Sequence, residues 1–510
     1  MRSAKEFVKD GLLLTLTTLI LRTAGVFFSA RLSVLAGTAV MGLYTQIMSV
    51  YAFAVTAASA GVNLGSLRIT SETFGCGSTY ALRACVRESV SYALKAGVLV
   101  SVIFFFGAPF FGGVLLCDTR TVSSLRALAV ALPFIAVSNA LHGYFSGVKR
   151  IGKSALVSLL EQGSRISMTL IALTTVSTAD AERICLTLVI CNALSEAFSC
   201  FLLAVLYAFD VKRFPKKHSR SSELKKRFIG ITVPVALSAL IRSALTTSEH
   251  ILIPIGLRAN GANSDTALSV YGIVSGMVMP ILLYPMALLS AFASISVAEL
   301  SARVAAGERR DAIGSTVSKG ISLALVYGIG CSAFVRAFSD LLGNSVYHNA
   351  SAGGFMRIMA PLIIFMYLDH ISDGMLKGLD KQNYVMKVNI TDAALSVVFA
   401  IILIPKFGIY GFIASIYVCE VLNCAFSFGR LMFTAGVRID LMKALILPAL
   451  CSVIAIWAVS ALGNTAMLMN TFSKSALLPI LIAVAVYTVL LKATGAIGQK
   501  DTTDGIQRIF

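Results

Sequence analysis

The chain has 510 residues, 57% of them hydrophobic and only 13% charged, with a mean hydropathy of +0.83. A soluble chain carries about 25% charge, so a soluble enzyme or a soluble binding module is excluded and a polytopic membrane protein is expected. The net charge of +18 is not a sign of nucleic-acid binding, because the lysines and arginines gather in alternate loops, the pattern of basic loops facing the cytoplasm.

Fourteen apolar spans are predicted, with the N-terminus inside. The first, 11–36, exceeds the roughly 20 residues that cross a bilayer. It is not expected to be a cleaved leader, since apolar spans continue as far as Lys492. It carries Arg22 near its middle, where a charge costs about 2.5–3.5 kcal/mol on insertion scales. Thr15, Thr18, Arg22, Gly25 and Ser29 step by three or four residues and share one stripe, so Arg22 faces a polar interior. There it is either tied to carbonyls of a neighbouring helix or held ready for a ligand.

Spans at 40–66, 88–116 and 123–147 follow, and the last of these ends in Gly143-Tyr-Phe-Ser-Gly147. The fifth, 154–177, aligns Ser158, Glu161, Gln162, Arg165 and Thr169; Glu161 and Arg165 have the i,i+4 spacing of a helical ion pair. The sixth, 183–209, aligns Asn192, Glu196 and Ser199. A polar connection over 210–227 then carries Lys212, Arg213, Lys216, Lys217, Arg220, Lys225, Lys226 and Arg227, read as a solvated loop near anionic headgroups.

The seventh span, 229–256, aligns Ser238, Arg242, Thr246 and Glu249. Spans at 268–298 and 315–342 lead to 355–378, which holds Asp369, His370 and Asp373 and ends in Gly374-Met-Leu-Lys-Gly378. Asn389, Asp392 and Ser396 align in 384–405, and Glu420 and Asn423 in 409–434; spans at 441–463 and 474–494 complete the series. The ten cysteines lie mostly in apolar runs without Cys-x-x-Cys or Cys/His spacing, so reduced packing residues and no metal are expected.

The two sides of the polar connection resemble each other. Leu19-Ile20-Leu21-Arg22 is matched by Leu240-Ile241-Arg242, and each half places an acid 18 residues after its first motif glycine, at Glu161 after Gly143 and Asp392 after Gly374. Duplication of this kind is common in secondary transporters, with the substrate site near the midplane between repeats. The expected organisation is an N-terminal six-helix lobe over 1–210, a basic cytoplasmic linker over 211–227, a C-terminal six-helix lobe over 228–436, and two further helices with a short cytoplasmic tail over 437–510. So many ionisable groups inside spans call for a water-filled cavity. Arg22, Arg165, Gln162 and Arg242 are the candidates to bind an anionic headgroup. Glu161, Glu196, Glu249, Asp369, Asp373 and Asp392 are the candidates to couple a proton or sodium ion. No other cofactor is expected.

The chain resembles the multidrug/oligosaccharidyl-lipid/polysaccharide flippase superfamily, in the branch of the sporulation and polysaccharide-biosynthesis flippases, with the lipid II flippase more distant. The match runs through Leu21-Arg22-Thr-Ala-Gly25, Gly42-Leu-Tyr44, Ser59-Ala-Gly61, Ser71-Glu72, Gly143 to Gly147, Glu161-Gln162 with Arg165, Pro280, Tyr284-Pro285, Ala298-Glu299, Ala306-Gly307 and Gly374 to Leu379. The resemblance implies two pseudo-symmetric six-helix lobes around a central cavity open alternately to either side, and a polyprenyl-diphosphate substrate carrying a sugar or muropeptide. It implies that Arg22 helps hold the diphosphate, and that the last two spans offer the lipid tail a groove. A monomeric transporter in the bacterial cytoplasmic membrane is expected, with both termini cytoplasmic. A cation-coupled drug exporter is the alternative. A membrane-embedded glycan enzyme is disfavoured, because His142, His250, His348 and His370 make no catalytic spacing with a nucleophile and the outward loops are short. No phosphate-binding loop of the ATPase type is present.

Overall fold

The computed structural model describes residues 4–75, 82–175, 180–212, 221–308, 310–437, 440–463 and 477–496. Among the described residues the fold is helical throughout, with no strand. Eleven helices are long and apolar enough to cross a membrane, or twelve when Ala350–Met359 and Leu362–Gly378, bent by 57°, count as one span. The protein is a multi-pass membrane protein.

The helices are α1 (Ala4–Ala36), α2 (Thr38–Ser59), α3 (Val62–Gly75), α4 (Leu82–Pro109), α5 (Val122–Gly147), α6 (Ile151–Thr175), α7 (Ala181–Val211), α8 (Ser221–Ala259), α9 (Ser264–Tyr271), α10 (Met279–Leu283) and α11 (Met286–Ala305). They continue as α12 (Arg310–Ala337), α13 (Ser339–Tyr347), α14 (Ala350–Met359), α15 (Leu362–Gly378), α16 (Gln382–Ala435), α17 (Leu447–Gly463) and α18 (Leu477–Ala493). Three π-helical segments, Phe110–Leu115, Gly272–Val278 and Met442–Ile446, interrupt the α-helical pattern.

Two predicted boundaries differ. The run at 268–298 is expected as one span but is divided at Tyr284–Pro285, where the missing proline N–H ends the hydrogen-bond ladder. The runs at 384–405 and 409–434 are joined in the 54 residues of α16, which turns at Gly408 (φ 57°, ψ −129°) three residues after Pro405. At 1.5 Å per residue such a helix would be about 80 Å long, far beyond the ~30 Å hydrocarbon core, so the turn makes it two spans. Only glycine holds that backbone angle at low cost. α6 is too polar to count among the eleven, because its stripe of Glu161, Gln162 and Arg165 lowers its hydropathy.

Contacts divide the chain into two compact units, Leu35–Gly272 and Met1–Val34 with Ile273–Phe510. This partition cuts the chain elsewhere than the internal likeness does: α1 is grouped with second-half helices, and α8 with first-half helices.

In the unit Leu35–Gly272, α5 packs against α3, α4 and α7. A β-carbon on Gly143 would meet the Asn63 carbonyl at 2.5 Å, and one on Gly147 would meet Thr70 Cβ at 2.7 Å, so the small-xxx-small end of α5 is the surface on which α3 lies. Ser66 there donates to the Ala140 carbonyl at 2.8 Å. At the end of α7 the buried Asp210 accepts from Lys153 at 2.9 Å and Tyr144 at 3.2 Å, and pairs with Arg150.

In the other unit, α15 packs against α11, α12 and α16. Its small-xxx-small end repeats the pattern: β-carbons on Gly374 and Gly378 would lie 3.2 Å from Ala293 Cβ and 3.0 Å from Leu300 Cβ of α11. α17 and α18 pack together and reach α12, where Tyr487 donates to the Val326 carbonyl at 2.8 Å beneath Phe334.

Candidate functional site

Three polar constellations stand inside the helices, each within one unit. The first is built on the break at Tyr284–Pro285. Pro285 has no N–H to give the Ile281 carbonyl, which takes Tyr284 N–H at 3.3 Å instead; the turn tightens through the break, and Ala287 N–H meets the Tyr284 carbonyl (3.3 Å) rather than that of Leu283, which its own helix leaves unused. An unpaired carbonyl in the membrane costs several kcal/mol, and side chains from three other helices donate to the carbonyls around the break. Arg22 of α1 donates an Nη1 hydrogen to the Leu283 carbonyl. Tyr367 of α15 donates to the Leu282 carbonyl at 2.9 Å, and Tyr327 of α12 to the Pro285 carbonyl at 3.0 Å. Thr23 and Tyr284 share a hydroxyl contact at 3.1 Å. Two turns beyond Arg22 on α1, Ser29 donates to the Gly276 carbonyl of the π-helical segment at 2.5 Å.

Arg22 is half-buried. The carbonyl-bonded arrangement weighed for it is present, on one amino group. Its other N–H donors have no hydrogen-bond partner among the described residues, and nothing lies within 4 Å of the point where a β-carbon on Gly25, one turn away, would sit. The guanidinium is therefore fixed on one side and unoccupied on the other.

The second constellation joins α2, α6 and α7. Arg165 donates to Gln162 Oε1 and, at 3.3 Å, to Asn192 Oδ1. The i,i+4 pairing with Glu161 that the sequence suggested is not formed: Arg165 is held by two amide oxygens. Amides neutralise no charge, but they satisfy donors in a site where Glu161 and Glu196 remain within electrostatic reach. Tyr51 of α2, 5% exposed, lies within electrostatic reach of Arg165, Glu161 and Glu196, and Gln46 on the same helix is 1% exposed. Tyr51 Oη, Gln46 Nε2 and Asn192 Nδ2 are buried with no hydrogen-bond partner among the described residues.

The third lies between α15 and α16. Asp373 accepts from Asn389 Nδ2 at 2.9 Å and from Ser427 at 3.0 Å. Asp369 accepts from Asn423 Nδ2 at 3.4 Å through one oxygen only; its Oδ1 and Asn423 Oδ1 are buried acceptors without donors among the described residues. Asp392 stands close enough to act on Asp369 electrostatically. An excess of acceptor oxygens suits a proton or a monovalent cation.

The structure thus brings Asp369, Asp373 and Asp392 together, and Gln162 and Arg165 together with Glu161 and Glu196. Arg242 and Glu249 lie on α8 in the other unit from the aspartates, Arg242 on the exposed side of its helix. His142 and His370 are hydrogen-bonded packing groups, to Ser154 at 2.5 Å and Ser290 at 3.0 Å. Sequence reading missed Gln46, Tyr51, Tyr327 and Tyr367. A lone glutamine inside an apolar span was a signal for Gln46. For the tyrosines the signal was Pro285, whose missing N–H demands donors from elsewhere.

Comparison with known proteins adds the following. A family model described as "Polysaccharide biosynthesis protein" matches residues 7–297, and one described as MatE matches 256–402. "Stage V sporulation protein B" of Bacillus subtilis (strain 168) is 22% identical over 414 residues, covering 80% of each chain. "Sporulation protein YkvU" of the same organism is 20% identical over 271 residues, covering 48% of this chain and 60% of that one. Among solved structures, the lipid II flippase MurJ in an inward closed conformation matches with a TM-score of 0.67 at 12% identity, over 95% of this chain and 98% of that one. An inward-facing multidrug resistance MATE family transporter of the MOP superfamily matches with a TM-score of 0.67 at 14% identity, over 85% and 98%. At these identities the structural likeness establishes the fold.

Proposed function

The chain belongs to the polysaccharide biosynthesis protein family, and from that premise we propose that it is a flippase moving a polyprenyl-diphosphate-linked oligosaccharide or peptidoglycan precursor across the bacterial cytoplasmic membrane. The observation that carries this reading is Arg22, a charge placed in the first span at a cost, tied to a carbonyl by one amino group, with its other donors unoccupied. A diphosphate is the membrane-borne group that such a guanidinium recognises best, through paired charge-assisted hydrogen bonds. The glycan headgroup passes through the polar interior while the prenyl chain stays in lipid.

Transport proceeds by alternating access of the two six-helix lobes, 1–210 and 228–436, with both termini cytoplasmic. Gln162, Arg165 and Arg242 assist Arg22 with the anionic headgroup. Glu161, Glu196, Glu249, Asp369, Asp373 and Asp392 take up the driving proton or sodium ion, and Asp369 is the best supported of them, having an acceptor oxygen without a donor. The protein performs no covalent chemistry and works as a monomer. The same acceptor-rich aspartates favour a second reading, export of organic cations.

Mass spectrometry of lipid extracts from a strain lacking the gene separates the two. Accumulation of a polyprenyl-diphosphate glycan with unchanged drug sensitivity is expected. Normal lipid-linked intermediates with lowered resistance to organic cations would replace the flippase by the exporter.

A further inference from the structure

A proline in the middle of an apolar run is usually explained as a kink. Here its consequence is an acceptor. A straight ladder would send an N–H from residue 285 to the Ile281 carbonyl and the Ala287 N–H to the Leu283 carbonyl; the proline removes the first bond, and the tightened turn after it takes the second away. In a straight ladder Arg22 would have to share the Leu283 carbonyl with the Ala287 N–H, and the contact that fixes the guanidinium would weaken.

We propose that Pro285 is a positioning residue for anion recognition by Arg22. By exposing the Leu283 carbonyl it pins one amino group of the guanidinium. The edge formed by Nε and the other amino group makes no hydrogen bond among the described residues and is left to a ligand. That edge is the pair of parallel donors a phosphate accepts bidentately. A flexible arginine would have to freeze its side chain on binding; a pinned one has done so beforehand. Two neighbours keep the break itself in shape without touching the anion: Tyr327 on the Pro285 carbonyl and Tyr367 on the Leu282 carbonyl, their rings stacked at 5.8 Å. This assignment rests on the transport reading above and adds to it the residue that aims its cation.

The test is equilibrium binding of a radiolabelled polyprenyl diphosphate, without glycan, to the full chain in phospholipid vesicles. Pro285→Ala is expected to weaken binding about tenfold, the scale of one hydrogen bond to a charged group. Arg22→Ala should weaken it at least as much, and the double variant no further than Arg22→Ala alone, because Pro285 acts through Arg22. Arg22→Lys, which keeps the charge but has no second edge, should bind as poorly as Arg22→Ala. Unaltered binding by Pro285→Ala, losses that multiply in the double variant, or full binding by Arg22→Lys would each overturn the role of Pro285 and leave the flippase reading standing. Absence of diphosphate binding by the unmodified chain would remove both.

Discussion

Arg165 shows how a buried charge is kept at a tolerable cost. Its two amide acceptors, Gln162 on its own helix and Asn192 on α7, are both short side chains in fixed positions, and Asn192 is 1% exposed. Replacing Asn192 by Leu removes a buried acceptor from a charged donor. A loss of roughly 1.5–3 kcal/mol follows, visible as a lower unfolding temperature in detergent. Asn192→Asp, which keeps an acceptor, should restore most of it. Equal stability of Asn192→Leu and the unmodified chain would show that the amide contact contributes nothing.

At the level of the helix, the two glycine pairs are the features to test. Gly143 and Gly147 admit α3 against α5, and Gly374 and Gly378 admit α11 against α15, with no room for a β-carbon without a shift. Gly378→Leu would have to push aside the Val297 backbone and the Leu300 side chain, and overpacking of this kind costs about 1–3 kcal/mol or more. A marked fall in the yield of folded protein on size-exclusion chromatography is expected. Gly354→Leu serves as the control, since nothing lies within 4 Å of its β-carbon position. If both variants fold alike, the close approach is not what the motif is for. These motifs were legible in the sequence because spacing alone reveals them, as were most spans, whose apolar length is a one-dimensional property. What α6 does with Arg165 was not legible. The i,i+4 rule proposes Glu161, but side-chain direction along the helix and the arrival of Asn192 from α7 decide otherwise, and only packing supplies that second fact. The break at 284–285 was not read from the sequence, where 268–298 reads as one span although Pro285 marks it, and the donors that answer it come from α1, α12 and α15, far apart in the chain.

For the whole molecule, the orientation proposed from the alternation of basic loops is one that a single residue can report. Cys117 is exposed in the loop between α4 and α5, whereas the other described cysteines are buried or half-buried. With the N-terminus cytoplasmic, this loop faces outward. A membrane-impermeant maleimide should therefore label Cys117 in intact cells, and Cys117→Ser should abolish the signal. Labelling that appears only after permeabilisation would invert the topology.

The central claim is that the half-buried cation of the first span holds an anionic lipid carrier in transit. Its most direct test is the flipping rate of a fluorescent polyprenyl-diphosphate oligosaccharide, followed by quencher access in vesicles holding equal amounts of folded protein. Arg22→Ala is expected to abolish transport while its thermal unfolding stays within a few degrees of the unmodified chain. Transport at the unmodified rate by a well-folded Arg22→Ala protein would contradict the account.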